Sequence, residues 1–394
     1  MTLEQIDQEY ILSTYGKNYT NFVRGSGARL YSDDGLDYVD FASGIGVSSI
    51  GHANEKLSNA ICEQAKKIIH ISNLQVIEPQ AKLAKKIVQT SGYDMACFFG
   101  NSGAEANEAA VKIARKYGFQ NFENKKFKII TIDNSFHGRT ITTLKATGQE
   151  SFHTKDFSPY PDGFVYAKDI NDIYEKIDDQ TIAVMIELVQ GEGGVQPFDK
   201  SDIQTLATRL KEDGILLIVD EVQTGVYRTG EFLASNLYEI EPDIITLAKG
   251  LGGGVPIGVA MTRLKDIFEP GDHGSTFGGN YLSTKAGEVV LEILSEEKKS
   301  GELDKKIKLF QEHLKKIVDK YPDLFEKSVG VGLMLGLRAW SKEIQQNVIK
   351  SAFEHRVVLL RAGRDTVRML PPLTISTEEI NEGFERFEKA ISNL

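Results

Sequence analysis

Short, mostly apolar runs recur through the middle of the chain, and each gives way at once to small or polar residues. They are Met95-Ala-Cys-Phe-Phe99, Phe127 to Ile132, Ile182 to Ile186, Ile215 to Val219 and Ile244 to Leu247. Runs without polar alternation suit strands covered on both faces, and helical patterns lie between most of these. That alternation predicts an α/β domain built on a mostly parallel sheet. In such sheets ligands gather beyond the carboxyl ends of the strands, where loops and helix N-termini meet. The residues just after each run therefore matter most.

After the first run comes Asn101-Ser102-Gly103-Ala104-Glu105, and Ala106, Ala110, Ile113 and Tyr117 then mark one apolar helical stripe. Ser102 and Glu105 read as a capping box. An ordinary capped helix would look the same, but glycine and alanine at the start let an anion approach the exposed N–H groups. After the 215 to 219 run comes Asp220, a position that is often only a turn residue. After the last run comes Lys249, 29 residues beyond Asp220, followed by Gly250-Leu-Gly252-Gly-Gly254. Most lysines at a strand end simply reach solvent. The glycine cluster lacks the last glycine of a dinucleotide loop, and Pro256 soon interrupts any helix. Phosphate-binding amides, an acid and an amine at neighbouring strand ends outline a pyridoxal phosphate site: lysine for the covalent link, aspartate for the pyridine nitrogen.

Composition narrows the alternatives. The 394 residues allow a large core, with 41% hydrophobic and 26% charged side chains, as in ordinary globular proteins. A net charge of −10 disfavours nonspecific nucleic-acid binding, so an anionic substrate must be met by specific arginines. No apolar run is long enough to span a bilayer and the N-terminus has no signal pattern, which reads as cytoplasmic. Cys62 and Cys97 are too few for a disulfide framework, and the seven histidines show no metal-ligand spacing.

Six separated stretches carry a family resemblance: NSGAEANEAA at 101 to 110, SFHGRT at 135 to 140, QGEGGV at 190 to 195, DEVQTG at 220 to 225, LAKGLGGGVPIG at 247 to 258 and HGSTFGGN at 273 to 280. With these, nearly the whole chain resembles the class III pyridoxal phosphate aminotransferases, most closely those acting on N-acetylornithine. The resemblance implies a fold-type-I transferase, with a large domain over 51 to 280 and a smaller α+β domain from 1 to 50 and 281 to 394. It makes Lys249 the covalent anchor, places Asp220 at the pyridine nitrogen and Gln223 near the ring hydroxyl, and stacks Phe136 on the ring. Gly103 and Ala104 hold the phosphate by backbone amides, with Ser102, Glu221 and Val222 also at the cofactor. Thr276 comes from the other subunit, which implies a homodimer with shared sites.

For substrates, the resemblance gives Arg139 the α-carboxylate, places Ser275 near the acyl group, and pairs Glu192 with Arg368 as a switch between two unlike substrates. By sequence alone Phe136 reads as a core aromatic, Thr276 as a turn hydroxyl and Arg139 as a solvated helix-start residue. The implied reaction takes the terminal amine of N-acetylornithine, releases N-acetylglutamate semialdehyde and converts 2-oxoglutarate to glutamate, in arginine biosynthesis. The rivals are another ω-amino acid aminotransferase, acting on ornithine, 4-aminobutyrate or a succinylated amine, and a noncatalytic binding protein on the same fold. Leu188 after Glu187, Tyr281 after Asn280 and Tyr15-Gly-Lys depart from the family pattern, and are expected at the pocket rim.

Overall fold

A computed structural model of the chain describes residues 1–394. Its centre is a seven-stranded sheet of β1 (Ala96–Gly100), β2 (Lys128–Ile132), β3 (Phe164–Ala167), β4 (Thr181–Ile186), β5 (Leu216–Asp220), β6 (Ile244–Leu247) and β7 (Gly258–Thr262). Across the sheet they lie in the order β1-β7-β6-β5-β4-β2-β3. Only β7 runs against the others, pairing antiparallel with both β6 and β1. All five predicted runs became strands, within a residue or so at each end. Two strands went unread. Phe164–Ala167 is a half-buried edge strand with a tyrosine in it, and Gly258–Thr262 starts with another glycine shortly after the glycine cluster.

Every residue of β4, β5, β6 and β7 is buried, which is why these runs carry no polar alternation. In the parallel pair β5 and β6, Asp220 lies opposite Thr246, so Asp220 and the lysine just beyond β6 emerge on the same edge. The helix α1 (Gly103–Asn121) leaves β1 at that edge too. Gly258 opens β7 beside it: a Cβ there would lie 2.0 Å from the Ser102 carbonyl oxygen, so only glycine lets β7 pass.

Two four-stranded sheets flank this centre. One joins Phe22–Ser26, Arg29–Ser32 and Asp37–Asp40 to Val357–Val358; the other joins Phe325–Val331, Met334–Ala339, Thr366–Met369 and Leu360–Ala362. The two ends of the chain are thus woven together, and polar contacts pin them. The Glu379 carboxylate accepts from Ala28 N–H at 3.0 Å, and Arg386 pairs with Asp37 at 2.6 Å. The largest apolar cluster runs without a break from Val39 and Phe41 through Ile245 and Val259 to Phe384 and Phe387. No helix is long and apolar enough to cross a membrane.

Candidate active site

The first turn of α1 forms one wall. Ser102 caps the helix with its Oγ accepting from Glu105 N–H at 3.2 Å, while the Gly103 and Ala104 N–H groups find no acceptor in the chain. The expected capping box is only half made. Glu105 turns outward, and its Oε2 accepts from Asn101 N–H at 2.7 Å and Asn101 Nδ2 at 2.9 Å, because Asn101 offers two donors where Ser102 offers one. A Cβ on Gly103 would meet Val222 Cγ1 at 2.7 Å, so glycine lets the helix start sit against the loop after β5. Free N–H groups at the positive end of a 19-residue helix favour an anion.

Asp220 is buried and held from several sides. Its Oδ1 accepts from Val222 N–H at 3.0 Å, and its Oδ2 meets Asn107 Nδ2 and His137 Nδ1, each at 2.8 Å. Asn107 in turn donates to the His137 carbonyl at 2.7 Å and accepts from Thr246 Oγ1 at 2.7 Å. Asn107, His137 and Thr246 were not anticipated. Asn107 had a signal, a polar residue on the buried face of α1 one turn after Gly103; His137 directly follows Phe136. The expectation for Glu221 needs correction. Its carboxylate faces away and accepts from Ala234 N–H, Ser235 N–H and Ser235 Oγ at 2.6 to 2.7 Å, capping the helix Ala234–Tyr238. Adjacent residues at a strand end point to opposite faces, so Asp220 and Glu221 do not serve one pocket.

Lys249 sits opposite, in a short turn at φ +39°, a left-handed conformation uncommon for a side-chain-bearing residue. Burial pushes its ammonium pKa down and nearby Arg368 adds to this, against the opposing pull of Glu192, Asp220 and Glu187. The neutral, nucleophilic amine is thereby favoured. A cavity of about 400 Å³ connects these groups; Phe136, Arg139, Val222, Gln223 and Glu187 complete the lining. Burial likewise raises the Glu187 carboxyl to about 7.

Of the predicted substrate residues, Arg139 lines the cavity with no carboxylate partner, its guanidinium 4.0 Å from the Phe152 ring centroid. Arg368 donates to Glu192 Oε1 at 2.7 Å and to Gln223 Oε1 at 3.3 Å, so the pair stands behind Gln223. Ser275 and Thr276 do not line this chain's cavity. Ser275 Oγ accepts from Asn101 Nδ2 at 3.1 Å, and Thr276 is exposed. Leu188 also departs from expectation: it is fully buried in the core beneath β4, not at the rim. Replacing Arg139 by alanine is expected to raise KM for both substrates and cost about 1.5 to 3 kcal/mol in kcat/KM, the range for a charged hydrogen bond. Steady-state kinetics on each substrate check this; unchanged saturation by either moves the clamp elsewhere.

These residues fit pyridoxal phosphate. Two unpartnered N–H groups at a helix start suit a phosphate, a buried carboxylate suits a protonated ring nitrogen, and an amine held towards neutrality suits covalent attachment.

Comparison with known proteins agrees. The family model described as aminotransferase class-III matches residues 12–391. The acetylornithine aminotransferase of Wolinella succinogenes is 59% identical over 392 residues, covering 99% of this chain and all of that protein. Among solved structures, the ornithine aminotransferase of Toxoplasma gondii superposes with a TM-score of 0.93 at 30% identity, covering 99% of this chain and 94% of that one. The N-acetylornithine aminotransferase of Stenotrophomonas maltophilia gives 0.83 at 31% identity, over 99% of both chains.

Proposed function

The chain belongs to the class-III aminotransferases, and from that premise we propose that it transfers the terminal amine of N-acetylornithine to 2-oxoglutarate, yielding N-acetylglutamate semialdehyde and glutamate for arginine biosynthesis in the cytoplasm. When bound, pyridoxal phosphate supplies an electron-accepting ring and a carbon that carries nitrogen between the two substrates. The first turn of α1 would hold the phosphate, Phe136 would lie against the ring, and Asp220, supported by Asn107 and His137, would keep the ring nitrogen protonated. Lys249 Nζ, held towards neutrality, would accept the proton from the carbon bearing the amine and later give it back.

The observation that carries the substrate reading is the contrast between two arginines. Arg139 stands open to one carboxylate, whereas Arg368 is covered by Glu192 at 2.7 Å. One open and one masked cation suit a donor whose reacting amine has no adjacent carboxylate, followed by a keto acid that brings one. Glu192 covers Arg368 in the first half-reaction and yields it to the α-carboxylate in the second.

The same reading divides the chain at 51 to 280 against 1 to 50 with 281 to 394, and seats a second copy over the exposed apolar loops of Leu74, Val76 and Phe277. That copy would receive Thr276 at its phosphate and Ser275 beside its substrate. The test is a panel of donors with 2-oxoglutarate: N-acetylornithine is expected among the best, ahead of ornithine, 4-aminobutyrate and succinyldiaminopimelate. Glu192→Ala is expected to move preference towards glutamate, and Arg368→Ala to impair mainly the 2-oxoglutarate half. Equal losses in both halves for both variants, with lower thermal stability, would make the pair a structural salt bridge.

A further inference from the structure

Glu187 lies in the cavity wall just after β4, buried, and none of the roles above uses it. Its two oxygens are divided between two separate pieces of backbone. Oε2 accepts from the N–H of Phe136 at 2.9 Å, and Oε1 accepts from the N–H of Gly191 at 3.2 Å. Phe136 belongs to the segment facing the ring, and Gly191 immediately precedes Glu192. One carboxylate therefore spans the ring-facing wall and the loop carrying the cover of Arg368.

The loop has other ties: the Gly191 carbonyl accepts from Gly194 and Val195 N–H at 3.4 and 3.3 Å, and Gln190 pairs with Gln196. Gln190 is tied by its side chain to the Asp133 carbonyl at 2.8 Å, and the Glu192 carbonyl accepts from Gly363 N–H at 2.8 Å. These ties hold the loop to the fold on either side of Gly191. Gly191 itself lies so close to Gln223 that a Cβ would meet Gln223 Oε1 at 2.3 Å, so a small displacement there is felt at the neighbour Arg368 also contacts.

We propose that Glu187 is a positioning residue for the switch: by accepting from Phe136 and Gly191 together, it sets Glu192 where it covers Arg368, and so sustains the preference for donors whose reacting amine lacks an adjacent carboxylate. This rests on the reading of Glu192 and Arg368 given above. The chemistry of the two amides makes the role specific. Both are donors, so they need two acceptor oxygens; glutamine presents one oxygen and an NH₂ that faces a second N–H. Glu187→Gln keeps the volume and loses one of the two ties.

The test measures single-turnover kcat/KM of the cofactor-loaded enzyme for N-acetylornithine and for L-glutamate, in wild type, Glu187→Gln, Glu187→Asp, Glu192→Ala and the Glu187→Gln/Glu192→Ala double variant. The ratio of the two values is expected to fall about tenfold in Glu187→Gln, a shift of one lost hydrogen bond or slightly more. Glu187→Asp, which keeps two acceptors on a shorter arm, is expected to recover part of it. The double variant is expected to match Glu192→Ala alone, since both changes act through one side chain. An unchanged ratio in Glu187→Gln beside a shifted ratio in Glu192→Ala overturns the inference and leaves the switch standing. Proportional losses for both substrates overturn it too, as a purely structural role. An unchanged ratio in Glu192→Ala overturns the switch, and the inference with it. If Glu187→Gln does not fold, Glu187→Ala, which removes both acceptors, is read by the same criteria.

Discussion

Replacing Lys249 by alanine is expected to lower turnover at least about a thousandfold, within the range over which a positioned acid or base contributes, while the chain stays folded. The lysine occupies a site whose burial already disfavours its charge, so removing it relieves an electrostatic penalty. The cofactor is expected to remain, held by the first turn of α1 and by Asp220, but without the visible absorbance of a lysine-linked form. Spectra of the purified variant and single-turnover mixing with donor read the two effects apart. Normal absorbance with normal turnover would remove Lys249 from the mechanism.

The second large effect is expected at Asp220→Asn, a change that keeps shape and loses charge. An amide offers one acceptor where Asp220 now uses two oxygens against Asn107, His137 and Val222 N–H. Whichever way the amide turns, its NH₂ meets a donor, so the variant loses both the charge facing the ring nitrogen and the order of its support. The transamination rate is expected to fall by about two orders of magnitude, in line with a charge-assisted bond of about 1.5 to 3 kcal/mol. Cofactor affinity is expected to weaken less, because the phosphate contacts are untouched. Rapid-mixing kinetics and equilibrium dialysis measure these separately. An unaltered single-turnover rate would assign the electron-sink role to another acid.

The buried strands were legible because a parallel sheet covered on both faces leaves an apolar run with nothing to mask it. β7 was hidden because its glycine start, needed to clear Ser102, resembles the loop before it. Lys249, Asp220 and the start of α1 were legible as strand-end residues, a matter of local order along the chain. Their support was not. Asn107 contacts residues more than one hundred positions away, and only the folded sheet brings Asp220 and Thr246 to its two ends. Glu221 and Leu188 show the opposite failure. Glu221 follows the predicted Asp220 and Leu188 follows the cavity-lining Glu187, but the turn of the chain beyond each strand sends the one to a helix cap and the other into the core.

Arg368 sits on Thr366–Met369, paired on one side with Met334–Ala339 and on the other with Leu360–Ala362. Glu192 sits in a turn that ends with Gly194 at φ +111° and Val195 at φ +53°. The backbone under Arg368 is held by strand pairing on both flanks, whereas Glu192 sits in a turn outside any strand, its carbonyl accepting from Gly363 N–H. On the proposed reading, changing from one substrate to the next would ask only Glu192 and its loop to rearrange, uncovering an arginine whose backbone stays in place. If the switch operates as proposed, the two specificities have separate addresses: edits to residues 190 to 195 would retune which amines enter, without rebuilding the strand that carries Arg368.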